Sequence, residues 1–285
     1  MSARRLPGAA ARMGTAALSA ITTATLVVTL VATLAAAPAH AGRSCEEHPV
    51  TQAALSDALA TGQALQTALD ASGSDVAMVA RQGQDLSKYG LKYSHAGLAF
   101  RSAPGQPWRI YELLNECGTA DSALWVDGLA NFFLEDPFTL DALVIVPPAK
   151  MAAKLGEVLR DPAALHGFHG SRYNMVAYPF STKYQNSNQW VLEVLASAGA
   201  SDVRIRTREQ AQAWLKMTGY TPTEMRLGPL TRLGGRAFKA NIAFDDHPSA
   251  LRFSDRINAV TVDSMLTFLR GRDEGWRVQE LKGRR

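Results

Sequence analysis

Apolar and polar positions change their period several times along this chain, and those changes lay out its elements. Residues 50–71 are rich in Ala, Leu and Gln, with Ala54, Leu55, Ala58, Leu59, Leu65 and Leu69 at helical spacing. That predicts one or two helices, with Gly62 as a break. Asp75 to Arg81 is a short β-type run, ended by Gly83-Gln84-Asp85. His95 to Arg101 is a second strand, 102–107 is a Pro/Gly turn, and Trp108 to Leu114 is a third strand. Residues 94–114 therefore predict an antiparallel hairpin with Ile110, Glu112 and Leu114 on one face. Leu143 to Val146 is a further strand stopped by Pro147-Pro148, and Met151 to Leu159 a helix ending before Asp161-Pro162.

Farther along, a helix opening near Asn186 puts Trp190, Val191, Val194, Leu195 and Ala198 on one stripe. Thr207-x-x-Gln210 is a capping-box pattern for another helix through Met217, closed by Gly219. Asn241–Phe244 and Ala259–Val262 are strand-like, and Met265 to Arg270 fits either strand or helix. Trp125, Phe132 and Phe133 have apolar neighbours and are assigned to the core. There is no internal repeat and no low-complexity linker, so one α+β domain is expected over residues 42–285.

The N-terminus changes that picture. Arg4, Arg5 and Arg12 precede an apolar run from Ala16 to Ala37, which ends in the small-x-small pattern Ala39-His40-Ala41. This order is that of a secretory signal peptide over residues 1–41, and it implies a periplasmic or secreted protein. The alternative is an uncleaved anchor, since the run is long; the cleavage pattern and the polar Gly42-Arg43-Ser44 favour removal. Arg43 also spoils a lipoprotein signal before Cys45. Without the leader the chain holds 27 Lys plus Arg against 26 Asp plus Glu, so its charge is near +1. No basic block tracks a phosphate backbone, which argues against nucleic acid as a partner, and no second segment is long enough to span a bilayer. The sequence does not give an oligomeric state.

Two cysteines follow the leader, Cys45 and Cys117. In an exported chain they are read first as a disulfide. The chain-entropy account makes such a loop closure worth roughly 4 kcal/mol. The alternative is a free Cys117 nucleophile near His95.

Several residues carry chemistry in principle. Ser187, in the first turn of the Asn186 helix, would have backbone N–H groups beside it able to hold an oxyanion. His95 stands at the mouth of a strand as a general base, and Glu112 across the hairpin could orient its imidazole. The structural alternatives are ordinary: Asn and Ser are common helix caps, a lone strand histidine is often a satisfied core group, and Glu112 alone reads as an exposed strand residue. His166-Gly167-Phe168-His169 lacks a carboxylate partner, so no metal is assigned, and nothing calls for a cofactor. Asp245-Asp246-His247-Pro248 is read as a turn.

These segments also carry a resemblance. Ser94-His95-Ala96-Gly97-Leu98 resembles the Ser-His-Val-Gly-Ile strand of permuted NlpC/P60-like proteins, the superfamily that includes lecithin–retinol acyltransferase-like enzymes. Their later nucleophile segment reads Asn-Cys-x-x-aromatic-Val, and Asn186-Ser187-Asn188-Gln189-Trp190-Val191 is similar to it with Ser in place of Cys. Many members carry an acid on the strand after the histidine, where this chain has Glu112. Over most of its length the sequence more closely resembles an uncharacterised family of secreted bacterial proteins (DUF2145-like). That likeness runs through Asn115-Glu116-Cys117-Gly118-Thr119, Tyr184 to Trp190, and Phe244-Asp245-Asp246-His247-Pro248; the family brings no known activity.

The resemblance implies a papain-like antiparallel sheet packed on a nucleophile helix. It implies a hydrolase or acyltransferase acting on an amide, peptide or ester bond, with Ser187 as nucleophile, His95 as base and Glu112 as orienter. Asn186, Asn188 and Tyr184 would line the substrate, a cell-envelope peptide or lipid. The substitution matters chemically: a thiol with a reference pKa of about 8.5 becomes a thiolate readily, whereas a serine needs its base during attack. The alternative is a catalytically inactive periplasmic binding module of the same fold.

Overall fold

A computed structural model describes residues 49–134 and 137–283, and Gly42–Arg285 forms one compact unit. The expected leader, residues 1–41, and Cys45 lie outside the described residues. The pairing expected between Cys45 and Cys117 lies outside them as well.

Helix α1, Gln52–Ala71, is a single 20-residue helix. Thr51 caps it by accepting the Ala54 N–H at 3.1 Å. Gly62 does not break it. A Cβ there would sit 2.9 Å from the backbone nitrogen of Ala130, so the glycine serves a close approach between the helix and the 128–134 segment.

Six strands follow the predicted meander and extend it: β1 Val76–Arg81, β2 His95–Phe100, β3 Arg109–Asn115, β4 Ser122–Asp127, β5 Ala142–Val146 and β8 Arg277–Leu281. They form one sheet in the order β4-β3-β2-β1-β5-β8, antiparallel at every pairing. All six residues of the central β1 are buried, because both faces of the sheet are covered. Helices α2 (Ala149–Leu159), α3 (Pro162–Gly167), α4 (Ser187–Gly199), α5 (Arg208–Met217) and α8 (Val262–Arg272) complete the main body. A small outlying layer holds strands β6 (Thr223–Arg226) and β7 (Arg256–Ala259), with α6 (Pro229–Phe238) and α7 (Ser249–Arg252). Among the described residues this is a mixed α+β fold of one six-stranded antiparallel sheet, one β-ribbon and eight helices.

Strand alternation divides the core in two. Met78, Ala80, Ala96, Leu98, Phe100 and Leu113 meet α4 through Trp190, Val191, Val194 and Leu195. Ala77, Val79, Ala99, Ile110 and Val144 meet α1 through Ala58, Leu65 and Leu69, together with Phe132 and Phe133. Each fully buried large side chain stabilises by about 1.5–3 kcal/mol, so the two layers hold the sheet from both sides.

Several expectations change. The α4 helix is buried on nearly its whole circumference rather than along one stripe, because α2 and α5 cover the side away from the sheet. Residues 241–244 form no strand, because the Asn174 side chain takes both ladder groups of Ala243: its Oδ1 accepts the N–H at 3.1 Å and its Nδ2 donates to the carbonyl at 2.8 Å. The run from Ala259 to Val262 ends as a strand at Ala259, because Thr261 and Ser264 build a capping box that starts α8 there. Met265 to Arg270 is accordingly helical. Phe132 and Phe133 are core, whereas Trp125 is 49% exposed on the edge strand β4. Thr207 does cap α5, but Gln210 reaches back to the N–H of Arg206 rather than of Thr207.

Candidate functional site

Two polar groupings lie at the end of the sheet where β2 begins. The first is the histidine pair. His95 Nε2 and Glu112 Oε2 are 2.5 Å apart. An ionised carboxylate can only accept, so toward Glu112 the ring is the donor, through Nε2. Glu112 is buried, not exposed as its strand position suggested. Gly97 lets β2 and β3 approach closely: a Cβ at that position would lie 2.7 Å from Ile110 Cγ2 and 3.2 Å from the Tyr111 carbonyl oxygen. The His95 ring packs 5.6 Å from that of Phe132, whose other neighbour is the Arg81 guanidinium, 5.1 Å from the ring centroid. Arg81 is also the cross-strand partner of His95. His95, Glu112 and Phe132 thus belong to the α1 face of the sheet.

The second grouping is the first turn of α4, on the opposite face. Asn186 is the N-cap, its Oδ1 accepting the Gln189 N–H at 2.7 Å. Ser187 is buried, and its hydroxyl lies 3.4 Å from that of Tyr173. Burial pushes the Tyr173 hydroxyl above its ordinary pKa, while the Ser187 hydroxyl and backbone N–H facing it pull the other way. The tyrosine oxygen thus faces both the hydroxyl and the backbone N–H of Ser187. Asn188 donates to the carbonyls of Ser94 at 3.2 Å and Val260 at 3.4 Å, tying the helix start to the entrance of β2.

The structure therefore brings His95 and Glu112 together, and sets Ser187 against Tyr173 instead. Among the described residues no hydrogen bond joins His95 to Ser187. The three residues expected to line a substrate, Asn186, Asn188 and Tyr184, are all buried.

What positions the α4 start is a hub that the sequence reading did not contain. Glu193, fully buried one and a half turns into α4, accepts from Gln185 Nε2 at 2.6 Å, Gln212 Nε2 at 2.7 Å and Arg208 Nε at 2.9 Å. Arg208 also donates to the carbonyls of Thr182 at 3.1 Å and Tyr184 at 2.8 Å. Burial raises the Glu193 carboxyl to about 6 against the pull of Arg208, Gln212 and Gln185. Gln185 in turn accepts from the Gly170 N–H at 2.8 Å. The segment 168–186 is fastened in this way across the edge of β4, where Ser122 N–H donates to Ser171 O at 2.9 Å. The available signal was Glu193 itself, a carboxylate between Leu192 and Val194 in an otherwise apolar helix.

Two further histidines, His247 and His169, are hydrogen-bonded into the fold. His247, buried with Asp246, pairs its Nδ1 with Asp246 Oδ1 at 3.0 Å and its Nε2 with the Asn258 carbonyl at 3.0 Å. The 245–248 turn is thereby clamped to β7 and is more than a surface turn. His169 Nε2 lies 3.1 Å from the Ser122 carbonyl. Among the described residues no group of three or more His, Cys, Asp or Glu could hold a metal ion.

The family model described as an uncharacterised protein conserved in bacteria (DUF2145) matches residues 68–269, and the chain belongs to that family. No curated protein and no solved structure matches the chain.

Proposed function

We propose that this member of an uncharacterised bacterial family is an exported, catalytically inactive binding module of papain-like descent, which retains a histidine–carboxylate pair but does not use Ser187 as a nucleophile. The observation that carries this reading is the engagement of the buried Ser187 by Tyr173, on the face of the sheet away from His95 and Glu112. A serine hydroxyl attacks only when a base takes its proton and donors stand ready for the oxyanion; here the base is turned to the other face, and the Tyr173 hydroxyl stands against the Ser187 hydroxyl and backbone N–H. The papain-like lineage is supported by the order of the histidine strand and the later Asn-Ser helix, and by α4 packing on β2 and β3.

On this reading the His95 ring, 12% exposed, is the polar group able to meet a ligand, and the buried Glu112 carboxylate holds it in place. Cell-envelope peptides are the ligand class the family likeness suggests, a fold-level analogy. A serine-directed fluorophosphonate probe tests the catalytic half. The reading expects no adduct at Ser187; labelling that Ser187→Ala abolishes would overturn it and restore the hydrolase. Calorimetric titration with a cell-wall tetrapeptide tests the binding half, which expects heat that His95→Ala diminishes. Equal titration curves for both proteins would remove His95 from the site.

A further inference from the structure

Helix α6 carries an outward apolar stripe that no part of the described chain covers. Leu230 and Leu233 are 84% and 65% exposed, and Ala237 continues their line at the i, i+3, i+7 spacing of one helical face. Phe253, at the end of α7, is 80% exposed. The two stretches are joined: Arg232 turns inward, donating to the Arg252 carbonyl at 2.6 Å and packing its guanidinium 4.6 Å from the Phe244 ring centroid. Large exposed apolar side chains on adjoining stretches are the material of an interaction surface.

The surrounding charge selects the occupant. Residues 226–239 contain Arg226, Arg232, Arg236 and Lys239 and no acid, with Arg226 and Arg236 exposed. The Arg252 guanidinium lies 5.6 Å from the Phe253 ring centroid, so a cation stands beside the exposed aromatic. The nearest acids by sequence are Glu224, Asp245, Asp246 and Asp255, and three of them are engaged: Glu224 lies 3.5 Å from Arg256, Asp245 pairs with Lys183 and Asp246 with His247. A second copy of the chain, docked face to face on this surface, would bring two patches of the same positive charge together. An apolar stripe flanked by Arg is the pattern of a helix lying in a membrane interface, with its cations in the anionic headgroup layer. Among the described residues no helix is long and apolar enough to cross a membrane, so this helix would lie on the surface.

We infer that α6 and Phe253 form a peripheral docking surface for an anionic phospholipid bilayer. The inference stands apart from the ligand reading at His95 and Glu112, and neither depends on the other. Gly42–Arg285 is a compact unit whose two main cores begin at Ala58 and Val76, so the test uses the chain from Gly42, free of the apolar leader. Cosedimentation is measured with vesicles of phosphatidylglycerol and phosphatidylethanolamine, and with neutral phosphatidylcholine vesicles. Binding is expected only to the anionic vesicles, weakening as salt rises. The variant Leu230→Ser/Leu233→Ser/Phe253→Ser is expected to bind about tenfold or more weaker while unfolding at the same urea concentration, since these side chains are already exposed. Arg226→Gln/Arg236→Gln is expected to flatten the salt dependence. Absence of binding to the anionic vesicles, or equal binding by the triple variant, would overturn the proposal. Light scattering that finds a dimer abolished by the triple variant, with no vesicle binding, would assign the face to a second copy. Binding to soluble acidic proteins without binding to vesicles would likewise overturn it.

Discussion

Removing the cation from the α4 hub is the most informative perturbation of this structure. In Arg208→Met the fully buried Glu193 keeps only the donors of Gln185 and Gln212, and the carbonyls of Thr182 and Tyr184 each lose a donor. Breaking one side of a buried ion pair costs about 3–5 kcal/mol, because the remaining charge is left uncompensated. That is a large share of the 5–15 kcal/mol typical of a folded domain. The loss also carries a pH signature. Glu193 is raised to about 6 in the folded protein, by burial first and in spite of Arg208. A carboxyl raised on folding contributes stability that is present below its unfolded pKa and lost as pH rises through the folded one. Without Arg208 the folded value rises further, so the variant should keep losing stability between pH 6.5 and 8, where the parent is nearly flat with respect to this group. Urea unfolding at several pH values measures both effects. Glu193→Leu/Arg208→Met is expected to recover much of the loss, since an apolar pair carries no stranded charge. A variant destabilised by less than about 1 kcal/mol, with no added slope above pH 6.5, would refute the hub as described.

Gly97→Ala should cost about 1–3 kcal/mol, because the new methyl would lie 2.7 Å from Ile110 Cγ2 and 3.2 Å from the Tyr111 carbonyl oxygen; an unchanged denaturation midpoint would contradict this. Strand β8 is pinned by Lys92 and Lys282 to Asp141 and Glu280. Burial would raise Asp141, but Lys92, Gly283 and Lys282 outweigh it and hold the carboxyl at about 2, while Lys92, Lys282 and Tyr93 bring Glu280 to about 2. Both lie below their unfolded values, so their stabilisation is present above about pH 4 and lost as pH falls towards 2. After solvent screening it amounts to on the order of 1 kcal/mol; acid titration of Lys92→Met should show a shallower fall than the parent. Alkylation of the unfolded protein is expected to modify Cys45 and Cys117 only after reductant is added; modification without reductant would exclude the disulfide.

The central meander was legible because its signals are local. Val76 to Arg81 and the 94–114 hairpin carry β-type runs bounded by Gly and Pro, and the structure keeps them within a residue or two. Strand β8 was not legible: Arg277-Val278-Gln279-Glu280-Leu281 is mostly polar and exposed, and joins the sheet only through pairing with the distant β5. The 241–244 run looked like a strand, but its ladder groups go to Asn174, a residue far away in sequence. The same distinction governs the site. Glu112 beside His95 follows from hairpin register, a short-range property. Which face α4 covers depends on how more than 80 residues return to the sheet, and that placed Ser187 under Tyr173.

The central claim, that the Ser187 side chain is shut away from His95, is tested most directly in Ser187→Cys. A thiol at this position reports its own exposure and activation through its alkylation rate, and mass spectrometry separates it from Cys45 and Cys117. The account predicts that iodoacetamide modifies Cys at position 187 only when the protein is unfolded, and that Tyr173→Ala opens the site to it. Rapid modification of the folded protein, slowed by His95→Ala, would contradict the account and mark Ser187 and His95 as partners in one catalytic site.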